Sequence, residues 1–256
     1  MRILQFTDPH LFGQPGGTLR GIETDASLRA CVAEGMSRFP RVAALLATGD
    51  IVHEDPQGYA RFRRIFESVD RPVLCVPGNH DDPAAMQREL SAAPFVIGGA
   101  HRFEDWTLVM LDSMEPGKVG GRLARTELAR LERELARSRD HHVMVCLHHH
   151  PVPMGSEWLD GIGLSNANEF WQLIDDYRHV RAVVWGHVHQ HHDGRRGNVR
   201  LFATPSTGAQ FLPASERYAI DSRPPAYRSF RLHPDGRIDS QTHWVDSLPA
   251  RLIATG

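Results

Sequence analysis

Aspartate, histidine and asparagine side chains recur directly after apolar runs of this chain, in combinations that suit metal binding. In chain order the combinations are Thr7-Asp8-Pro9-His10, Gly49-Asp50, Pro77-Gly78-Asn79-His80-Asp81, His148-His149-His150-Pro151 and Gly186-His187-Val188-His189. Carboxylate and amide oxygens with imidazole nitrogens suit Mn, Fe, Zn, Ni or Co, and no thiolate is present to select a soft metal. Seven or more such ligands are too many for one tetrahedral ion. They fit two ions about 3.5–4 Å apart, as in many phosphatases and nucleases.

The apolar runs that precede these groups have the length and composition of buried strands. Strands are predicted at 2–7, 43–48, 73–76, 107–111, 143–147, 181–185 and 199–203. Amphipathic stretches between them predict helices at 24–38, 57–69, 83–92, 122–139 and 166–178. This alternation indicates βαβ units and a largely parallel or mixed sheet covered by helices. Since ligands bind just beyond the carboxyl ends of such strands, the metal-binding side chains are expected to meet at one rim.

Composition narrows the setting in which this chemistry takes place. The 256 residues show no repeat or linker and predict a single domain spanning 1–256. The formal net charge of -2 provides no global basic field, so a nucleic-acid partner is not expected. Three isolated cysteines, no signal-peptide pattern and no apolar run of about 20 residues predict a cytoplasmic protein without disulfides that does not span a membrane.

The motifs, taken in this order, resemble the calcineurin-like metallophosphoesterase superfamily over about residues 8–189. Further stretches are similar to the bacterial class III cyclic-AMP phosphodiesterases. They are Thr7-Asp8-Pro9-His10-Leu11-Phe12, His148-His149-His150-Pro151-Val152-Pro153, Trp158-Leu159-Asp160, Gly186-His187-Val188-His189-Gln190 and Ala203-Thr204-Pro205-Ser206-Thr207. The resemblance implies an α/β fold, an αββα sandwich of two mixed sheets flanked by helices, with a dinuclear metal site at the carboxyl ends of the strands.

The resemblance also implies which side chains hold the two metal ions. One set is Asp8, His10, Asp50 and His189, and the other is Asp50, Asn79, His187 and one histidine of the triplet. Asp50 would bridge both ions, since a carboxylate has two oxygens. Relatives often have the sequence His-His-Pro-Pro-Val-Pro, and aligning Val152-Pro153 with it favours His148 as the ligand. The usual His-x-Pro spacing favours His149 instead. We take His148 as the ligand. The ions are expected to be divalent or mixed-valent, with Fe and Mn ahead of Zn, Co and Ni.

The implied reaction is hydrolysis of 3′,5′-cyclic AMP to 5′-AMP by a metal-bridged hydroxide. His80 adjoins Asn79 and is assigned as general acid or as a donor to the phosphate. Asp81 would orient His80, or else would cap the helix that begins near Pro83. The phosphate is expected to contact four side chains at the metal centre. These are His10, Asn79, His80 and His189.

Two long irregular segments, 151–165 and 204–226, have shapes that the sequence does not determine. The identity of the substrate is therefore not determined by the sequence either. Their aromatic residues Trp158 and Phe211 are expected to pack beneath the loops, with stacking on a purine as the alternative. The leading prediction is a cyclic nucleotide phosphodiesterase. The alternative is a broad-specificity or glycerophospho-type phosphodiesterase with the same metal core. A third hypothesis is a non-catalytic metal-binding module. A small nucleotide is the expected partner, and a homodimer is compatible with the sequence.

Overall fold

The computed structural model describes residues 1–246 of the protein. In chain order the strands of this part are β1 Arg2–Phe6, β2 Thr18–Leu19, β3 Ile22–Glu23, β4 Ala44–Thr48, β5 Val73–Val76, β6 Phe95–Ile97, β7 Gly99–Phe103, β8 Trp106–Met110, β9 His142–Cys146, β10 Val180–Trp185, β11 His192–Arg196, β12 Val199–Ala203, β13 Gln210–Phe211, β14 Ile220–Asp221, β15 Ala226–Leu232 and β16 Ile238–Trp244. The helices are α1 Thr24–Arg38, α2 Gly58–Phe66, α3 Pro83–Glu89, α4 Arg125–Arg137, α5 Glu157–Asp160 and α6 Ala167–Asp175.

The long strands form two mixed sheets of six strands each. The first has the order β16-β15-β1-β4-β5-β6 and the second β11-β12-β10-β9-β8-β7. Strands β1, β4, β5 and β6 are parallel, as are β8, β9, β10 and β12. Antiparallel strands β15 and β16 complete one edge of the first sheet, and antiparallel strands β7 and β11 form the two edges of the second. Two short hairpins, β2–β3 and β13–β14, lie outside these sheets.

Alternation of side chains along each strand explains the layers. Ile3 and Leu46 belong to the apolar cluster that both sheets share, whereas the adjoining Leu4 and Leu45 pack with residues of α1, α2 and α3. A third cluster joins the second sheet to α4 and α6. Because successive strand residues point to opposite faces, strands with apolar residues at every position bury both faces and require helices outside. The predicted αββα sandwich is confirmed.

The predicted strands agree with the observed ones within one residue at either end, and the predicted helices within three. Several strands were not predicted, among them β7, β11, β15 and β16. The N-cap position of α1 is Glu23, whose side chain makes no capping hydrogen bond. The predicted single domain extends into 247–256, which lie outside the described residues. Across 1–246, no helix combines the length and apolar character that crossing a bilayer requires.

Candidate metal centre

Seven side chains from five loops converge at one end of the sandwich. Each loop directly follows a parallel strand: β1, β4 and β5 in the first sheet, β9 and β10 in the second. We call these residues the ligand cluster, which consists of Asp8, His10, Asp50, Asn79, His148, His187 and His189. The structure therefore brings together all of the predicted metal-binding residues. Six of them are buried, with exposures of 5% or less.

The backbone of the ligand cluster is strained. Asp8, His10, Asp50, His187 and His189 all adopt positive φ, between 48° and 64°. This region is costly for residues other than glycine, and such strain concentrates at functional sites. Loop-to-loop hydrogen bonds hold part of it in place, since the amides of Asp8 and His10 donate to the carbonyls of Gly49 and Asp50 at 3.1 and 2.9 Å. This backbone conformation directs five side chains towards the same point.

The first half of the cluster combines Asp8, His10, Asp50 and His189. The Nε2 atoms of His10 and His189 lie 3.2 Å apart. The same atoms lie 3.6 Å from Asp50 Oδ2 and 3.4 Å from Asp8 Oδ1, respectively. His189 Nδ1 donates to the Ala209 carbonyl at 2.7 Å. The remaining nitrogen of His189 is therefore directed at the other ligands.

The second half combines Asp50, Asn79, His148 and His187. His148 Nε2 lies 3.3 Å from Asn79 Oδ1, 3.2 Å from His187 Nδ1 and 3.4 Å from Asp50 Oδ2. The opposite nitrogens of the two rings point away from the cluster. His148 Nδ1 donates to the Thr48 carbonyl at 2.7 Å, and His187 Nε2 donates to the Ile162 carbonyl at 3.1 Å. One oxygen of Asp50 lies near both halves, because Asp50 Oδ2 is 3.6 Å from His10 Nε2 and 3.4 Å from His148 Nε2.

These contacts test whether the cluster fits metal ions. A neutral imidazole carries one N–H. In the neutral form, His148, His187 and His189 each donate this N–H to a backbone carbonyl outside the cluster. Their other nitrogens then present lone pairs to one another and to carboxylate oxygens at 3.2–3.4 Å. Such facing lone pairs repel unless a proton or a metal ion lies between them. The donor set therefore fits a dinuclear metal centre, and the carbonyl acceptors fix ring orientation as outer partners of metal-binding histidines do.

The electrostatics of the cluster also favour added positive charge. Burial lowers the pKa of His10 and of His187 well below the usual value, which keeps both neutral and able to bind a cation. Burial also acts to lower the pKa of His148, but the Asp50 carboxylate outweighs it and raises the value to about 9. Burial opposes ionisation of Asp50, yet His148 and His10 bring its pKa well below the usual range. A metal ion would therefore replace a proton that the carboxylates already attract.

His149, the alternative ligand in the triplet, is engaged elsewhere. Its Nδ1 lies 2.9 Å from Ser113 Oγ and its Nε2 lies 3.1 Å from the Val119 carbonyl. With both nitrogens hydrogen-bonded to other groups, neither is available to a metal ion. The geometry accordingly favours His148 over His149.

Asp81 is not placed as predicted. Its carboxylate accepts hydrogen bonds from the amides of Ile51, Val52 and Gly78 at 2.8–3.2 Å and from the Tyr59 hydroxyl at 2.8 Å. It makes none with the His80 imidazole. The proposed Asp81–His80 pairing is therefore corrected, because the carboxylate is directed at two backbone loops. Nor does Asp81 cap α3, since Asp82 accepts from the amides of Ala84 and Ala85.

His80 lies beside the ligand cluster with different neighbours from those predicted. Its Nδ1 is 3.3 Å from Glu54 Oε1, and its ring stacks on His53 with centroids 4.7 Å apart. His53 Nδ1 in turn lies 3.1 Å from His10 Nδ1. His53 and Glu54 were missed because neither belongs to a recognisable spacing. Their only sequence signal is that they follow Asp50 within four positions.

Trp158 and Phe211 pack as expected and also face the site. Their rings meet edge to face at 5.2 Å, and both pack on the apolar cluster of the second sheet. They also line a cavity of about 200 Å³ that reaches His10, Asp50 and His189. Trp158 and Phe211 therefore both pack against the core of the second sheet and line the site.

Comparison with known proteins agrees with the fold. A sequence model described as calcineurin-like phosphoesterase matches residues 1–191. The chain is 38% identical over 247 residues to a 3′,5′-cyclic adenosine monophosphate phosphodiesterase CpdA of Pseudomonas aeruginosa, covering 96% of this chain and 90% of that protein. It is 36% identical to the protein of the same name from Escherichia coli, covering 95% and 89%. A dimetal phosphatase from Danio rerio superposes with a TM-score of 0.65 at 15% identity, covering 96% and 99%.

Substitution of single histidines in the triplet should separate ligand from neighbour. His148→Ala removes a nitrogen that faces Asn79, His187 and Asp50, so the metal content of purified protein should fall and turnover should collapse. His149→Ala should retain the metal but lose about 1–3 kcal/mol of unfolding free energy, because buried groups lose a partner. Elemental analysis and urea unfolding measure the two effects. Metal loss in His149→Ala with retention in His148→Ala would reverse the assignment.

Asp81→Asn should weaken the loops that the carboxylate holds together. It should not change how the rate depends on the leaving group. An amide offers one acceptor oxygen where the carboxylate offers two, so about 1–3 kcal/mol of stability should be lost. Rates for diesters with good and poor leaving groups should fall by the same factor. Urea unfolding and paired rate measurements on nitrophenyl and alkyl diesters test this expectation. A loss confined to poor leaving groups would instead restore a role for Asp81 in proton transfer.

Proposed function

The chain belongs to the calcineurin-like phosphoesterase family, and from this premise we propose that it hydrolyses 3′,5′-cyclic AMP to 5′-AMP. Relatives at 33–38% identity that match over nearly the whole chain carry the name of this activity. The observation that carries the proposal is the buried ligand cluster, in which lone pairs and two carboxylates converge from both sheets. The family uses a dinuclear metal site, and the cluster offers a donor set for it.

We assign Asp8, His10, Asp50 and His189 to one ion and Asp50, Asn79, His148 and His187 to the other. Oxygen and imidazole donors without thiolate support Fe and Mn as the native ions, with Zn, Co and Ni as metals that the same donors accept. When bound, such ions supply an activated water at neutral pH and neutralise charge on phosphate oxygens.

The remaining chemistry falls to the chain's own side chains. His80 lines the cavity beside His10 and Asn79, where an imidazole can donate a hydrogen bond to a phosphate oxygen or a proton to the departing 3′ oxygen. Its stacking on His53 and the contact with Glu54 restrict how the ring can turn. His10, Asn79 and His189 line the same cavity, and we assign them to the surface that contacts the phosphate.

A small nucleotide is thus the proposed partner, and the cytoplasm is the proposed location. All three cysteines, Cys31, Cys75 and Cys146, are buried and free. Burial raises the pKa of each thiol above its usual range, as is typical of inert thiols in a reducing compartment.

Asp50→Ala tests the bridging position. Removal of the carboxylate that faces both halves of the cluster should lower metal content and nearly abolish turnover. The fold should persist, because the sandwich core lies elsewhere. Elemental analysis, circular dichroism and turnover are compared with the control Asp175→Ala, whose carboxylate pairs with Arg196 on the surface. Fully active wild-type protein with at most one ion per chain would disprove the dinuclear assignment.

His80→Ala tests proton donation. Both metals should be retained, and the rate should fall by about 10²–10⁴ for cyclic AMP, the usual worth of acid–base assistance. The loss should be much smaller for a nitrophenyl diester, since nitrophenolate leaves without a proton. An equal loss for both substrates would favour simple phosphate binding over proton donation.

The product of cyclic AMP hydrolysis tests the function directly. Expulsion of the 3′ oxygen should yield 5′-AMP and no 3′-AMP, which chromatography resolves. The screen includes cyclic GMP, 2′,3′-cyclic nucleotides and glycerophosphodiesters, with protein loaded with defined metals. Absence of 5′-AMP alongside ready cleavage of a glycerophosphodiester would replace the proposal with the alternative phosphodiesterase.

A further inference from the structure

The cavity beside the ligand cluster has walls of two different kinds. Part of the lining consists of polar groups of the cluster together with His53 and His80. The rest consists of apolar and aromatic side chains and one guanidinium. These are Leu19, Arg20, Val119, Trp158, Ile162, Phe211 and Tyr218. The lining therefore suits a ligand that combines a charged group with an apolar or aromatic group.

The aromatic wall begins directly against the metal-binding residues. Phe211 stacks on the imidazole of His189 with centroids 4.1 Å apart and planes within 6°. Trp158 and Tyr218 each meet Phe211 edge to face at 5.2 Å, and they meet each other at the same distance. The three rings thus extend the surface from the phosphate end of the cavity outwards without a break.

Hydrogen bonds fix the two segments that supply these rings. Trp158 lies in α5, whereas Phe211 and Tyr218 lie in the β13–β14 hairpin and its loop. The Ser215 amide donates to Ser156 Oγ at 3.2 Å and ties the loop to the start of α5. The side-chain amide of Gln210, at the base of the hairpin, donates to the carbonyls of Ser206 and Gly208 at 2.8 and 3.0 Å. The wall is therefore formed before any ligand binds, as is usual for small-molecule sites.

Arg20 adds a cation to this wall. It occupies the two-residue turn between β2 and β3 with φ of 53°. Its guanidinium lies 5.1 Å from the centre of the Tyr218 ring. Within residues 1–246 it makes no ion pair with a carboxylate, and Tyr218 remains 43% exposed. Arg20 thus keeps N–H donors available to hydrogen-bond acceptors on the edge of a flat ligand.

We propose that Arg20, Trp158, Phe211 and Tyr218 form a subsite for the nucleobase of a nucleotide whose phosphate lies at the ligand cluster. The inference rests on the proposed function and names the part of the site that selects the substrate. Aromatic contacts accept any base, whereas a guanidinium favours the N7 acceptor that adenine and guanine share. The subsite therefore prefers purines to pyrimidines, and its guanidinium does not select adenine over guanine, because guanine offers O6 as a second acceptor beside N7.

The test measures inhibition of bis(4-nitrophenyl) phosphate hydrolysis by 5′-AMP, 5′-UMP and ribose 5-phosphate, using manganese-loaded protein. Base–aromatic contacts are worth about 1–3 kcal/mol. Wild-type protein should therefore bind 5′-AMP about 5- to 150-fold more tightly than ribose 5-phosphate, which has no base. Tyr218→Leu should remove most of this difference without changing the ribose 5-phosphate constant. Tyr218→Phe keeps the ring and should retain most of this difference. Tyr218 is chosen over Phe211 because Phe211 contacts His189.

Arg20→Met should reduce the preference for 5′-AMP over 5′-UMP. Arg122→Ala serves as the control, because Arg122 lines a separate groove of about 790 Å³ that adjoins this cavity at Val119 and Ile162. Equal wild-type constants for 5′-AMP and ribose 5-phosphate would overturn the proposal, as would a base effect that responds to Arg122→Ala and not to Tyr218→Leu. If wild-type protein leaves cyclic AMP intact yet binds 5′-AMP through its base, the proposed function fails while the subsite stands.

Discussion

The carboxylates of Asp8 and Asp50 are buried at the end of the sandwich, and the surrounding structure compensates their charge only in part. Buried charge is costly unless it is hydrogen-bonded and paired. The amides of His187 and His80 donate to Asp8 Oδ1 and Asp50 Oδ1 at 3.0 and 2.9 Å, and Thr7 Oγ1 donates to Asp8 Oδ2 at 2.6 Å. Histidine nitrogens occupy the remaining directions. The arrangement is left in need of positive charge, and this need underlies both the raised pKa of His148 and the fit to metal ions.

The backbone around the same two carboxylates is conformationally constrained. Positive φ at five cluster residues costs on the order of 1–3 kcal/mol each, and the rigid strands on either side are what allow it to persist. Close approach adds a second demand, because a Cβ at Gly49 would collide with the His148 ring. Gly49 also has φ of 98°. Glycine there is thus required both by conformation and by the distance between the two loops.

The fold and the ligand cluster were largely predictable, because they depend on period and position. Apolar runs such as 73–76 give the strand bounds directly, and the polar groups that follow them share one rim once the strands are parallel. Strand β15 was missed because its buried positions include the charged Arg228, which is fully buried and donates to the carbonyls of Ala203 and His192. The contacts of Asp81 depend on which of several nearby hydrogen-bond donors its side chain reaches. The adjacent residues in the sequence do not indicate which donor this is.

A site assembled from two sheets also needs the sheets held in register. Apolar packing between them favours closeness but tolerates sliding, whereas hydrogen bonds are directional. Gln5 provides such bonds at the cluster end of the interface. Its Nε2 donates to Thr48 Oγ1 of the first sheet at 2.7 Å and to the Trp185 carbonyl of the second at 3.2 Å. Thr48 Oγ1 donates onward to Thr7 Oγ1 at 2.7 Å, and Thr7 donates to Asp8. Because this chain of bonds ends on a metal-binding carboxylate, the register of the sheets and the geometry of the cluster are set by the same buried polar network.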